Sequence, residues 1–276
     1  MDGGVTVALT NASGDSFPGG NFTDNLGNDS VLGAIGNDTI DGGDGNDTLD
    51  GALGDDSLLG GNGTDWASYA AATGAVTVNL AAGTASGAAG NDSLTSIEAV
   101  LGSNSADSVL GSSGNETLDG GFGNDTLAGG TGADWASYAT ATSAVTVNLG
   151  AGTSSGGAGN DSLTGIEAVV GGNSLDSLLG SGGSETLEAG LGNDFLQGRA
   201  GDDSIAGGEG IDWAYYELAS GAVTVDLSAG TASGADGNDT LSSIENAFGG
   251  NGDDSILGDS NANYLIGRFG RDTVDG

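Results

Sequence analysis

Five carboxylates stand nine residues apart near the start of the chain, at Asp29, Asp38, Asp47, Asp56 and Asp65. Each has a glycine two residues before it, and all but the last have a large aliphatic two residues after it. The clearest copy is Gly42-Gly43-Asp44-Gly45-Asn46-Asp47-Thr48-Leu49-Asp50. The same phase returns at Asp107, Glu116, Asp125 and Asp134, then at Asp176, Glu185, Asp194, Asp203 and Asp212, and more raggedly at Asp254, Asn263 and Asp272. The chain has no Cys and no His. Thiolate and imidazole metal sites, Ser-His-Asp catalysis and disulfides are therefore excluded, and the chemistry left in quantity is that of hard carboxylate oxygens.

Positioning such acids takes a turn and a strand. Glycine permits the positive φ of a tight turn, and the short Thr-Leu stretch enters a strand with its aliphatic pointing inward. A longer period lies above the nonapeptide. Asp65-Trp66-Ala67-Ser68-Tyr69 returns as Asp134-Trp135-Ala136-Ser137-Tyr138 and as Asp212-Trp213-Ala214-Tyr215-Tyr216, at spacings of 69 and 78 residues. The difference is one nonapeptide, the signature of a solenoid that grows by whole units. Each Trp introduces a linking segment with an alternating strand, as in Val76-Thr77-Val78-Asn79-Leu80, then Asn91-Asp92-Ser93-Leu94 and Ile97-Glu98. No helix is expected. The organisation read from this pattern is one elongated solenoid: a degenerate linking segment over 1–23, acidic arrays over 24–68, 102–137 and 171–215, linking strands over 69–101, 138–170 and 216–248, and a truncated array over 249–276.

With 39 acidic residues against three arginines and no lysine, the formal charge is −36. Phosphate backbones and anionic membranes would be repelled, so nucleic-acid binding and membrane insertion are not expected, and cations are the expected partners. Gly at 58 of 276 residues and a single Pro exclude collagen and a conventional large core. There is no transmembrane run and no basic or hydrophobic signal region at the N-terminus. The repeat is cut at both ends, and the chain reads as a segment of a longer protein.

These arrays resemble the RTX (hemolysin-type) calcium-binding repeat, Gly-Gly-x-Gly-x-Asp-x-aliphatic-x, a pattern catalogued among known repeat families. The resemblance implies an all-β fold, a right-handed parallel β-roll in which two nonapeptides make one turn, so that residues 18 apart stack. It implies Ca2+ between stacked loops, held by carboxylates and loop carbonyls, with Mg2+ a poorer fit to so adaptable a shell. The pairs would be Asp29 with Asp47, Asp38 with Asp56, Asp47 with Asp65, Asp107 with Asp125, Glu116 with Asp134, Asp176 with Asp194, Glu185 with Asp203, Asp194 with Asp212, and Asp254 with Asp272, about nine candidate sites. Glu98, Glu167 and Glu245 stand in phase but outside glycine loops and are read as strand residues. Trp66, Trp135 and Trp213 are read as the hydrophobic plugs of the linking segments.

The function expected is a non-catalytic, calcium-binding structural or adhesive segment of a secreted, extracellular bacterial protein. The resemblance implies type I secretion and folding on calcium outside the cell, with self-association or a surface polysaccharide as further partners. A surface-layer or filament subunit is the alternative. An enzyme is disfavoured because the acids form a uniform ladder with no distinct acid and base, and an ice-binding roll because no regular Thr/Asn ladder emerges.

Overall fold

The computed structural model describes residues 6–8, 21–23 and 26–276, and among them there is no helix. Each nonapeptide contributes a loop and a short strand, as in Ser30–Leu32, Thr39–Asp44, Thr48–Asp50, Ser57–Asn62 and Trp66–Ser68. Successive strands alternate between two sheets. A strand therefore pairs with the one 18 residues on, always in parallel: Val31 lies against Leu49, Ile40 against Leu58, and Thr48 against Trp66. In each three-residue strand the middle side chain points inward. Val31, Ile40, Leu49 and Leu58 are all at most 2% exposed and stack into a narrow aliphatic column between the sheets. This is an all-β parallel β-roll. Its core is one residue deep per strand, so hydrophobic burial of a few kcal/mol or less per aliphatic must hold a turn largely made of loop.

The described chain divides into two compact units, residues 1–135 and 136–276. Within the first, Val76–Asn79, Thr84–Gly87 and Asn91–Thr95 form a meander in which the middle strand runs antiparallel to both neighbours. The outer strands join the roll in parallel, Asn91–Thr95 to Ser57–Asn62 and Val76–Asn79 to Ser108–Leu110. The meander thus lies sideways in one sheet and replaces a single strand of the roll. The second unit holds two such meanders, around Thr153–Gly156 and Thr231–Gly234, and they sit in opposite sheets. Five nonapeptide acids separate them, from Asp176 to Asp212. An odd number of half-turns places the next meander on the other sheet.

One expectation is corrected here. Trp66, Trp135 and Trp213 are not the plugs, because they stand on the outer row of their strands and are only partly covered. The buried aromatics are the tyrosines three residues later, Tyr69, Tyr138 and Tyr216, at 2–3% exposure. Strand alternation explains the swap: Ala67, Ala136 and Ala214 take the inward position, so the preceding Trp must face out. The proposed degenerate segment over 1–23 lies largely outside the described residues.

Candidate metal centres

All nine pairs expected from the 18-residue spacing are brought together, and by the same bond. The backbone N–H of the lower residue donates to Oδ1 of the acid one turn above. The distance is 2.8 Å for Asp29 to Asp47, Asp38 to Asp56 and Asp47 to Asp65. It is 2.7 and 2.8 Å for Asp107 to Asp125 and Glu116 to Asp134. Asp176 to Asp194, Glu185 to Asp203, Asp194 to Asp212 and Asp254 to Asp272 follow at 2.7, 2.8, 2.8 and 3.0 Å. Where the residue just before an acid has a polar side chain, it builds a second ladder in the opposite sense. Here the upper N–H donates to the lower side chain, as from Asn46 to Asn28 and from Thr64 to Asn46. Asp44 is no part of either ladder and accepts a bond from the exposed Asn62 amide at 2.8 Å.

Beneath this regularity the loops are of two kinds. In the loops ending at Asp47, Asp56, Asp65, Asp125, Asp134, Asp194, Asp203, Asp212 and Asp272, the second and fourth residues both have positive φ. Gly43 is at 96° and Gly45 at 142°, and even Ala52, Arg199 and Arg268 accept 66°, 72° and 80° at the second position. These open loops hold the upper acid of every one of the nine pairs. Glycine at the fourth position is obligatory for stacking, since a Cβ on Gly45 would overlap the Gly27 carbonyl oxygen of the turn below.

In the loops ending at Asp38, Asp107, Glu116, Asp176, Glu185, Asp254 and Asn263, the second residue is not at positive φ. Its amide instead turns inward and donates to the loop's own side chain. Ala34 reaches Asp38 at 2.8 Å, Gly172 reaches Asp176 at 2.6 Å and Gly250 reaches Asp254 at 2.6 Å. Ser112 and Ser181 bond Glu116 and Glu185 through both amide and hydroxyl. The longer glutamates fit because a serine hydroxyl meets them. Asn263 replaces the acid altogether, accepting from the Asp259 amide and donating to the Glu245 carbonyl.

The linking segments carry rungs that the sequence reading missed. Glu98 and Glu245, expected as strand residues, instead precede their strands and accept the amides of Asp65 at 3.0 Å and Asp212 at 2.8 Å, as a nonapeptide acid would. On the other edge, Asp92 and Asp239 accept the amides of Asp56 and Asp203, each at 3.0 Å. There the ladder meets a phenol, for the buried Tyr216 hydroxyl donates to Asp239 Oδ2 at 2.9 Å. A signal existed, since Gly90-Asn91-Asp92-Ser93-Leu94 obeys the nonapeptide rule of glycine before and aliphatic after.

Burial sets the electrostatics. It pushes the carboxyl of Asp56 up to about 7, against an opposing bond to the Asp38 amide and with the charges of Asp92, Asp38 and Asp55 adding to it. Asp203 is likewise raised to about 7 by burial, then by Asp239 and Glu185, and Asp194 to about 6 by burial, then by Asp176 and Asp212. Protons are therefore poorly surrendered by a ladder that lacks counter-charge.

The oxygens left over define what the loops can hold. Oδ2 of Asp56, Asp65, Asp194, Asp203 and Asp212 is buried without any hydrogen-bond donor. At Gly42, Oδ2 of Asp47 and the carbonyl oxygen of Gly60 from the turn above converge on one point, and Gly33, Gly102, Gly111, Gly171, Gly180 and Gly249 show the same meeting of carboxylate and carbonyl. Oxygens facing one another repel unless a cation lies between them. Among the described residues no three His, Cys, Asp or Glu side chains cluster as a metal cage, so a cation here must draw on backbone carbonyls as well. That donor set of hard oxygens in adaptable loops fits Ca2+.

Comparison with known families agrees. The RTX calcium-binding nonapeptide repeat matches residues 23–58, 32–67, 101–136, 147–165, 179–214 and 244–276, together more than half of the chain. The match over 147–165 falls on a linking segment and includes Asp161, the counterpart of Asp92. No curated protein matches the chain. With acids stacked at the nonapeptide period along a parallel β-roll, this chain belongs to the family of RTX calcium-binding repeats.

Proposed function

We propose that the chain is a structural and adhesive β-roll segment of an extracellular protein, exported by type I secretion and folded by the calcium it meets outside the cell. The observation that carries this reading is the set of buried, donorless carboxylate oxygens at Asp56, Asp65, Asp194, Asp203 and Asp212. Without a cation they repel one another across stacked turns, and the one-residue core is too thin to offset ordering nine residues per half-turn at about 1–2 kcal/mol each for the backbone. Calcium would be held at nine sites, one under each open loop: by Asp47, Asp56, Asp65, Asp125, Asp134, Asp194, Asp203, Asp212 and Asp272, with Asp29, Asp38, Asp107, Glu116, Asp176, Glu185 and Asp254 completing the pairs and glycine-loop carbonyls filling the shell. When bound, the ion supplies the counter-charge that lets the loops stack. The acids recur with the same partners, and that sameness supports scaffolding rather than catalysis.

Circular dichroism of the chain in chelator, in magnesium and in calcium tests the reading. A β spectrum that appears only with calcium is expected, and full β-structure in chelator would sink it.

A further inference from the structure

Besides Asp56 and Asp203, which stack on Asp92 and Asp239 at one edge, Asp65 and Asp212 stack on a linking segment at the other edge instead of on another nonapeptide. Above Asp65 lies the turn through Ser96 and Glu98, and above Asp212 lies the turn through Ser243 and Glu245. Both acids are completely buried, and both keep an Oδ2 with no donor. At Gly60 the Ser96 carbonyl oxygen converges with Asp65 Oδ2, and at Gly207 the Ser243 carbonyl oxygen converges with Asp212 Oδ2. This is the arrangement seen at Gly42, with serine in place of glycine on the upper side.

We propose that Asp65, the Ser96 carbonyl and Glu98 in the first unit, and Asp212, the Ser243 carbonyl and Glu245 in the second, form two further calcium sites, each built half from a nonapeptide and half from a linking segment. The proposal rests on the reading that the nonapeptide loops hold calcium, and it adds to the nine pairs. Three observations carry it. The glutamate occupies the position of the upper acid, since it accepts the lower acid's amide just as Asp65 accepts that of Asp47. The serine adopts φ of 50° or 51°, a left-handed conformation that a non-glycine residue takes at a cost and that the two units reproduce independently. Finally, the buried Oδ2 of the lower acid has no proton donor to satisfy it in either unit. A recess of about 280 Å³ lined by Ser96, Glu98, Asn115 and Glu116 opens beside the first site and leaves room for waters to complete the shell. At the other edge of the roll the ladder ends differently, because the Tyr216 hydroxyl satisfies Asp239 with a proton.

The test counts ions on the full chain at saturating calcium by native mass spectrometry, with circular dichroism alongside. Glu98→Gln/Glu245→Gln keeps a side-chain carbonyl able to accept the Asp65 and Asp212 amides, so a rung that only hydrogen-bonds would leave the count unchanged. The expected result is a loss of two ions with the β spectrum retained, and one ion for each single variant. An unchanged count overturns the proposal. Because the variant could itself unfold, calcium located by anomalous scattering in crystals of the unaltered protein provides the second reading. A peak between Asp65 Oδ2 and the Ser96 carbonyl supports the proposal, and ions in the nonapeptide loops with none there overturn it. Absence of calcium from every loop would instead refute the reading on which it rests.

Discussion

The loop ending at Asp47 and the loop ending at Glu116 carry an acid at the same phase and accept or donate the same rung bonds, yet they solve the problem of a buried carboxylate in opposite ways. The Asp47 loop turns through positive φ at Gly43 and Gly45, and its acid faces the Gly60 carbonyl just as Glu116 faces that of Gly129. The Glu116 loop keeps its second residue out of that region and spends the Ser112 amide and hydroxyl on its own carboxylate. Closed loops of this kind stand at the beginning of the arrays, at Asp107 and Glu116, at Asp176 and Glu185, and at Asp254 and Asn263, and open loops follow. The difference teaches that one acidic period can encode two electrostatic states, one completed by the chain and one that awaits a cation.

The strongest way to break the comparison is through backbone. Gly45→Ala sets a Cβ against the Gly27 carbonyl at a φ of 142° and should cost about 3 kcal/mol or more of calcium-bound stability. Gly182→Ala, in the closed loop ending at Glu185, meets nothing within 4 Å and should be neutral or mildly stabilising. Denaturant melts of the two variants in calcium should separate widely, and equal losses would show that the loops are not distinct.

Next comes the acid itself. Asp47→Ala removes the acceptor of the Asp29 amide, a bond to a charged group worth about 1.5–3 kcal/mol, and also weakens the sites shared with Asp29 and Asp65. It should cost more calcium affinity, read by titration calorimetry, than Asp272→Ala, which has one stacked partner.

Acid sharpens the contrast from the side of the open loops. The folded-state carboxyls of Asp56 and Asp203, at about 7, and of Asp194, at about 6, lie above their unfolded value near 4. Protonation therefore favours the metal-free roll: that stabilisation is fully present below about pH 4 and is lost as pH rises through 6 to 7. Between pH 8 and 6 the unfolded carboxyls stay ionised while the folded ones take up protons, so the calcium needed for half-folding should fall as pH falls over that range, even though protons and calcium compete for the same oxygens within the roll. A midpoint that rises as pH falls would contradict these shifts.

Two smaller effects complete the series. Glu116→Gln should change stability by about 1 kcal/mol or less, because Asn263 shows that a closed loop accepts a neutral amide. Asp44→Ala should stay within about 0.5 kcal/mol, since Asp44 only receives the exposed Asn62 amide. A loss at Asp44 as large as that at Asp47 would overturn the phase on which every ligand assignment stands.

The phase was legible in the sequence because it is enforced by a single repeated bond, from amide to carboxylate across 18 residues, and a bond that needs fixed spacing leaves fixed spacing behind. The two loop states were not legible. Gly172 and Gly250 occupy the second position of closed loops, while Ala52 and Arg199 occupy it in open ones, so residue type there does not report φ. Glu98 was misread because it keeps step with Asp107 but stands 33 residues from Asp65, and only the sideways meander makes that interval one turn. The tryptophans misled for a different reason. Size suggested burial, whereas alternation within a three-residue strand decides which side chain faces in, and the inward place belonged to alanine.

The meanders of the second unit lie in opposite sheets because an odd number of nonapeptides separates them. Parity of the repeat count is thus an address. An array lengthened by two units would carry the next meander farther along the same face, and one lengthened by a single unit would present it on the reverse. A chain built this way can redirect whatever its linking segments display without altering a residue of them, simply by gaining or losing nine.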